Sequence, residues 1–136
     1  MTVSALEQPG STLLCSDAVA LAADGRAILI GGACSDCGNQ TFPRAPVCCV
    51  CMSEAIQPKA MPCTGTLYAF STVHVAAKKW KIPMCIGYVD LPNGPRVFTH
   101  LQGDLAIGDA VEVAMGIVGE DENGPIRSFV FKRSAA

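Results

Sequence analysis

The chain is 136 residues long and half apolar, with eight cysteines, two histidines, a formal net charge of −2 and a pI near 5.6. That length suits one domain, or two small modules sharing a core. The slight acidity argues against a general polyanion binder, which gathers a basic excess on one face, and makes nucleic acid an unfavoured partner.

Residues 1–25 contain no Lys or Arg, and the apolar run beyond them is broken by Asp24 and Arg26. Neither a signal peptide nor a membrane span can be drawn, so the expected location is the cytoplasm, with no membrane partner. This stretch is expected to be an N-terminal extension or hairpin arm, and its first fifteen residues receive no role. In "AVALAADGRAILIGGAC", Asp24-Gly25 separates two strand-like runs and suits a two-residue hairpin turn with positive φ at both positions. An amphipathic helix over Ser16 to Ala23 is the competing reading. Residues 26 to 33 should lead as a strand into the cysteine cluster.

Five of the eight cysteines fall in "CSDCGNQTFPRAPVCCVC", residues 34–51. Cys34 and Cys37 form one C-x-x-C pair, Cys48 and Cys51 a second, with ten residues between. Each pair makes a knuckle that turns two thiolates toward one ion, and two knuckles complete the tetrahedral sulfur site that zinc prefers in structural roles. One zinc per chain is expected, with iron in a rubredoxin-like site the lesser alternative. Four thiolates leave no position for water, so the ion would contribute folding energy rather than chemistry. Cys49, two positions before Cys51, is assigned as a non-ligand.

Pro58 and Pro62 mark a linker, dividing a ribbon at 26–57 from a second module at 58–136. From Gly65 onward the chain reads as β: "GTLYAFSTVHVA", "MCIGYVDL", "RVFTHLQ", "AVEVAMGIV" and "IRSFVFKR", each separated by turn chemistry such as Pro92-Asn93-Gly94. Five short strands fit a small closed barrel, for which the OB-fold is the commonest choice; an open meander packed on the ribbon is the alternative. The fold class expected is therefore mainly β, an N-terminal rubredoxin-like zinc ribbon joined to a five-stranded OB-fold barrel.

An independent enzyme is hard to build from these residues. A cysteine nucleophile needs a base within reach, and the two histidines, His74 and His100, are both expected mid-strand as structural or surface groups. Cys15, Cys63 and Cys85 are read as small apolar residues. No catalytic residue is assigned.

The order "LIGGACSDCGNQTFPRAPVCCVC", "CTGTLYAFSTVHV", "IPMCIGYVDLPNGPRVFTHLQG", "LAIGDAVEVAM" resembles the domain-of-unknown-function family thirty-five, whose members join a rubredoxin-like zinc ribbon to an OB-fold. The likeness covers nearly the whole chain after about residue 25. It departs at the second knuckle, where the family's Cys-Pro-x-Cys-Gly is Cys48-Cys49-Val50-Cys51-Met52. The resemblance implies a non-catalytic accessory subunit of a thiolase-like enzyme acting on acyl-CoA, for thiolytic carbon-carbon cleavage or acyl transfer as in aromatic or sterol breakdown. The catalytic cysteine and histidines of such an acyltransferase complex would lie on the partner. Two stretches carry contact chemistry. Lys78, Lys79, Trp80 and Lys81 could grip the phosphates of coenzyme A, anchor a partner subunit, or stay solvated. Phe42 and Arg44, in the proline-bracketed loop between the knuckles, are the second candidate contact with CoA or partner. The alternative function is a free-standing OB module for single-stranded nucleic acid.

Overall fold

The computed structural model describes residues 12–14 and 16–134. Cys15 and the first eleven residues lie outside them. The described elements run β1 (Thr12–Leu13), a 3-10 turn (Ser16–Ala18), β2 (Val19–Leu21), β3 (Ala27–Cys34), β4 (Gln40–Thr41), β5 (Ile56–Ala60), β6 (Thr64–Val73), β7 (Met84–Asp90), β8 (Arg96–Gln102), β9 (Ala110–Asp121) and β10 (Gly124–Arg133). No helix among the described residues is long and apolar enough to cross a membrane.

The ribbon is built on β3. Its apolar side chains favour an extended chain, and β2 pairs with it antiparallel, Leu21 opposite Ala27. The connecting turn sits where Asp24-Gly25 placed it, but its type differs. Ala22 donates to Arg26 O and Gly25 to Ala22 O, so the loop has three residues, and Gly25 alone takes positive φ, +86°. The Asp24 carboxylate instead accepts from the Arg26 backbone N–H and Nε at 3.1 and 2.6 Å. The helix alternative shrinks to the single 3-10 turn before β2.

On the other side of β3, β5 runs antiparallel from Cys34↔Ile56 to Ile30↔Ala60. Pro58 therefore lies inside a strand, opposite Gly32, and not in a linker. The proline is tolerated because β5 pairs with β3 alone, so the missing N–H belongs to an unpaired edge. The boundary expected between 57 and 58 falls within β5, and the crossover to the barrel is residues 61–63.

Strands β6, β7 and β8 form an antiparallel meander. β9 pairs antiparallel with both β6 and β10, and β10 returns parallel to β8. These pairings close a five-stranded barrel in the OB arrangement, which settles the choice against an open meander. β8 meets only the last part of β10 (Val130↔His100), while β1 lies parallel to its first part (Thr12↔Ile126) and fills the seam.

Strict alternation in β8 buries Val97, Thr99 and Leu101 and turns Arg96, Phe98, His100 and Gln102 outward. His74 is not mid-strand. β6 pairs with β7 only as far as Val73↔Met84, and His74 stands exposed just beyond. Ribbon and barrel share one core: Leu29 and Met61 pack with Leu67, Val89, Val111, Phe129 and Phe131. Each such side chain contributes about 1.5–3 kcal/mol by leaving water. Asn93, in the Pro92-Asn93-Gly94 turn, reaches across to donate to Gln40 Oε1 at 2.6 Å. Close approach of β3 and β4 within the ribbon needs Gly31, where a Cβ would lie 2.3 Å from Thr41 O.

Candidate metal centre and partner surfaces

β3 delivers Cys34 at its end, and the chain then turns tightly through Cys37. Cys34 accepts at its backbone O from Gly38 N–H (2.9 Å) and donates its own N–H to Asn39 O (2.9 Å). The second knuckle repeats this, with Met52 N–H to Cys48 O (3.0 Å) and Cys48 N–H to Ser53 O (2.8 Å). Gly38 takes φ +81°. At the matching position Met52 takes φ +66°, the one non-glycine residue at positive φ among those described. The glycine missing from the second knuckle therefore does not loosen it; Met52 adopts the turn itself. Ser53 Oγ donates to Asp36 Oδ2 and ties the knuckles together.

The four Sγ atoms of Cys34, Cys37, Cys48 and Cys51 all lie within 4.8 Å of one another, with Cys34–Cys51 and Cys37–Cys48 both at 3.5 Å. A tetrahedral ion with metal–sulfur bonds of about 2.3 Å needs sulfurs about 3.8 Å apart. The donor set fits, and these four could hold one metal ion. Knuckle amides point at the sulfurs, as with Val50 N–H to Cys48 Sγ at 3.4 Å. The Cys37 backbone N–H holds the Cys34 thiol below its ordinary value, and the Cys51 and Val50 amides bring Cys48 down to about 6. Cys51 has a lowering donor in Ser53 N–H, yet the crowded sulfurs, Cys34 first, push it up to about 12. Cys37 is likewise raised, Cys48 opposing its Asn39 amide. Crowded thiols divide protons unevenly in this way, and a bound cation replaces those protons.

Cys49 is outside the cluster, exposed, with Asn39 Nδ2 at 3.7 Å from its sulfur. Cys63 and Cys85 are half-buried against the main core, and burial pushes the Cys85 thiol up.

The two expected contact stretches are used differently. Phe42 packs edge-on to Phe129 of the barrel, ring centroids 5.7 Å apart, so its ring joins the modules. Arg44 is exposed on a cleft of about 450 Å³ with Asp17, Ile30 and Pro43. The Lys78–Lys81 stretch is tied to β9: Glu120 N–H donates to Lys79 O at 2.7 Å and Lys81 N–H to Val118 O at 3.0 Å. Trp80 packs on Val118, Ile126 and Val130, with Lys79 Nζ 5.0 Å from its ring centroid. The lysines and Glu120 line a shallow cleft of about 370 Å³.

Sequence reasoning missed one surface. Tyr88 and Phe98 face each other across β7 and β8 with rings 5.3 Å apart, and Arg96 stacks 3.5 Å over Tyr68. The signal was present in the alternation, since both rings share the non-core parity of their strands. Burial lowers the nearby His100 imidazole below its ordinary value, and its ring lies 6.1 Å from Trp80.

Residues 59–116 match the family model for the ChsH2 C-terminal OB-fold domain. The benzoylsuccinyl-CoA thiolase subunit BbsA of Thauera aromatica is 33% identical over 132 residues, 93% of this chain and 92% of that protein. BbsA of Geobacter metallireducens is 30% identical over 134 residues, 95% and 91% of the two chains. A DUF35 domain-containing scaffold protein of Methanocaldococcus jannaschii is 28% identical over 114 residues, 79% and 81% of each. Among solved structures, the Ltp2-ChsH2(DUF35) aldolase matches with a TM-score of 0.64 at 23% identity, covering 78% of this chain and 84% of that one, which is a likeness of fold. With its ribbon, OB barrel and near full-length match to named subunits, the chain belongs to the DUF35 family of accessory subunits.

Proposed function

We propose that this chain is the non-catalytic, zinc-holding accessory subunit of a thiolase-like enzyme that makes or breaks carbon-carbon bonds in acyl-CoA substrates. One observation carries the reading: two relatives matched over more than nine-tenths of both chains are named as subunits of a CoA thioester thiolase. The side chains agree with a division of labour. His74 is exposed beyond β6, and His100 packs beside Trp80. Cys34, Cys37, Cys48 and Cys51 would hold one zinc, whose four sulfur ligands fill its coordination and whose binding energy stabilises the ribbon. Free thiols of this kind suit a reducing compartment such as the cytoplasm. Lys78, Lys79 and Lys81, held on β9, offer positive charge to the phosphates of a CoA ester lying between the subunits, and Arg44 offers a second cation on the ribbon side.

Co-expression with the thiolase-like subunit of the same organism tests this. The expected result is a complex stable in size-exclusion chromatography, thiolase activity in that complex and none in either chain alone. Turnover by this chain without a partner would sink the reading.

A further inference from the structure

The outer surface of β7 and β8 is an apolar face that no other element among the described residues covers. Tyr88 is 44% exposed and Phe98 57%. A bulge in β6 at Leu67/Ala69 brings Tyr68, 50% exposed, to the same side. There the Arg96 guanidinium lies over its ring, fixed by two hydrogen bonds to Asp90 at 2.6 and 3.1 Å. Beside the rings is a cleft of about 370 Å³ whose walls include Leu14, Trp80, Met84, Ile86, Phe98 and His100.

We infer that this face is where the thiolase-like catalytic subunit docks, Tyr68, Tyr88 and Phe98 forming the centre of the contact and an apolar side chain of the partner seating in the cleft. The inference rests on the accessory-subunit reading above. Three half-exposed rings offer about 100 Å² each, about 300 Å² together. Two copies of this chain meeting through that patch would bury about 600 Å² in all, below the roughly 800 Å² that lattice contacts reach, and widening the contact would bring the like-charged Lys78–Lys81 edges of both copies into it, so a second copy is a poor occupant. A larger partner can extend from the rings over the cleft and onto the adjoining Lys78–Lys81 stretch, which shares Trp80 with the cleft wall, and so reach the roughly 800 Å² per side of a stable complex. Charge points the same way. Asp90 neutralises Arg96 at the centre, while Lys78, Lys79 and Lys81 enter no ion pair among the described residues. The complementary surface is an apolar patch with a projecting side chain, and the edge facing the lysines carries the anionic CoA ester that the catalytic subunit brings to the contact. Nucleic acid fits less well, because its phosphates would need uncompensated cations among the rings.

The test uses the full chain with zinc bound and the purified thiolase-like subunit of the same organism. Phe98→Asp and Tyr88→Asp should each weaken the complex at least about 30-fold, the loss expected for a central anchor. Circular dichroism and zinc content should stay as in the wild type. Ala23→Asp, the same charge placed on the exposed β2–β3 turn, should bind as the wild type does. A wild-type complex that both variants match in affinity overturns the docking face and leaves the accessory reading standing. Absence of any wild-type complex overturns both. Loss in the variants of self-association, or of salt-sensitive binding to a single-stranded oligonucleotide, with the catalytic-subunit complex intact, assigns the face to another occupant and equally overturns the inference.

Discussion

Replacing Met52 by glycine isolates the cost of an L side chain in the second knuckle. Met52 sits at φ +66° and is 75% exposed, so the substitution removes little buried surface. A left-handed conformation costs a non-glycine residue about 1–2 kcal/mol. Glycine gives back about 0.4–1 kcal/mol of that through the greater freedom of the unfolded chain. The net expectation is a gain of about 0.5–1 kcal/mol. The first knuckle supplies the mirror experiment: Gly38 is at φ +81° with the same pair of hydrogen bonds, and a Cβ there would meet nothing within 4 Å. Gly38→Ala should therefore lose about 1 kcal/mol or more through backbone strain alone, with no steric clash to confuse it. The assay is urea unfolding at a fixed, buffered free zinc concentration, because metal binding to the folded form adds its own mass-action term. A Met52→Gly protein no more stable than the wild type, together with a harmless Gly38→Ala, would refute the argument that the two turns are equivalent and that side-chain strain sets their difference.

Cys34→Ser should lose about one zinc per chain and unfold the ribbon, whereas Cys49→Ser should keep its metal; elemental analysis of both proteins decides, and normal zinc in the first variant contradicts the ligand set. Phe42→Ala should cost about 2–3 kcal/mol in chemical denaturation, toward the low side for a phenylalanine because the ring is only half-buried where it meets Phe129. His100 gives a pH dependence. Burial lowers its folded-state pKa below the ordinary 6.5, so the unfolded chain binds the proton more readily, and the contribution is complete above the unfolded value and lost as pH falls through the folded one. Urea midpoints between pH 7.5 and 5 should fall more steeply for the wild type than for His100→Gln, and parallel curves would contradict it. Lys78→Gln combined with Lys79→Gln should raise the KM for the acyl-CoA substrate in the assembled complex and flatten its dependence on salt, and an unchanged KM would contradict the placing of these lysines at its phosphates.

Local signals were enough for much of this fold. "RVFTHLQ" alternates cleanly between turn residues, and β8 spans those seven residues. The cysteine spacing brought the four sulfurs together because a two-residue gap closes a knuckle by backbone hydrogen bonds alone, whatever lies beyond it. The failures share a cause, which is that the deciding partner is remote. "IQPKA" has a proline and little burial, and becomes β5 only because β3, more than twenty residues earlier, offers an edge. His74 falls outside β6 because the pairing with β7 ends at Met84, a limit set by the neighbour and invisible in "STVHVA". Trp80 reads as an exposed loop aromatic until it bridges to Gly119, where a Cβ would sit 2.1 Å from Lys79 O.

The same reasoning separates the two halves of the candidate site. The cluster of four sulfurs is local, and its spacing was legible. The aromatic face was legible only as parity: Tyr88 and Phe98 had to point away from the core, but whether some other element covers them depends on the whole sheet. In the folded chain β1 stops at the seam with β10 and the Lys78–Lys81 stretch turns toward β9, and neither crosses the rings. An apolar face left bare by the other described elements, beside four thiolates that would leave a bound ion no open coordination position, fits the proposal that this protein acts through the contact it makes and not through a metal.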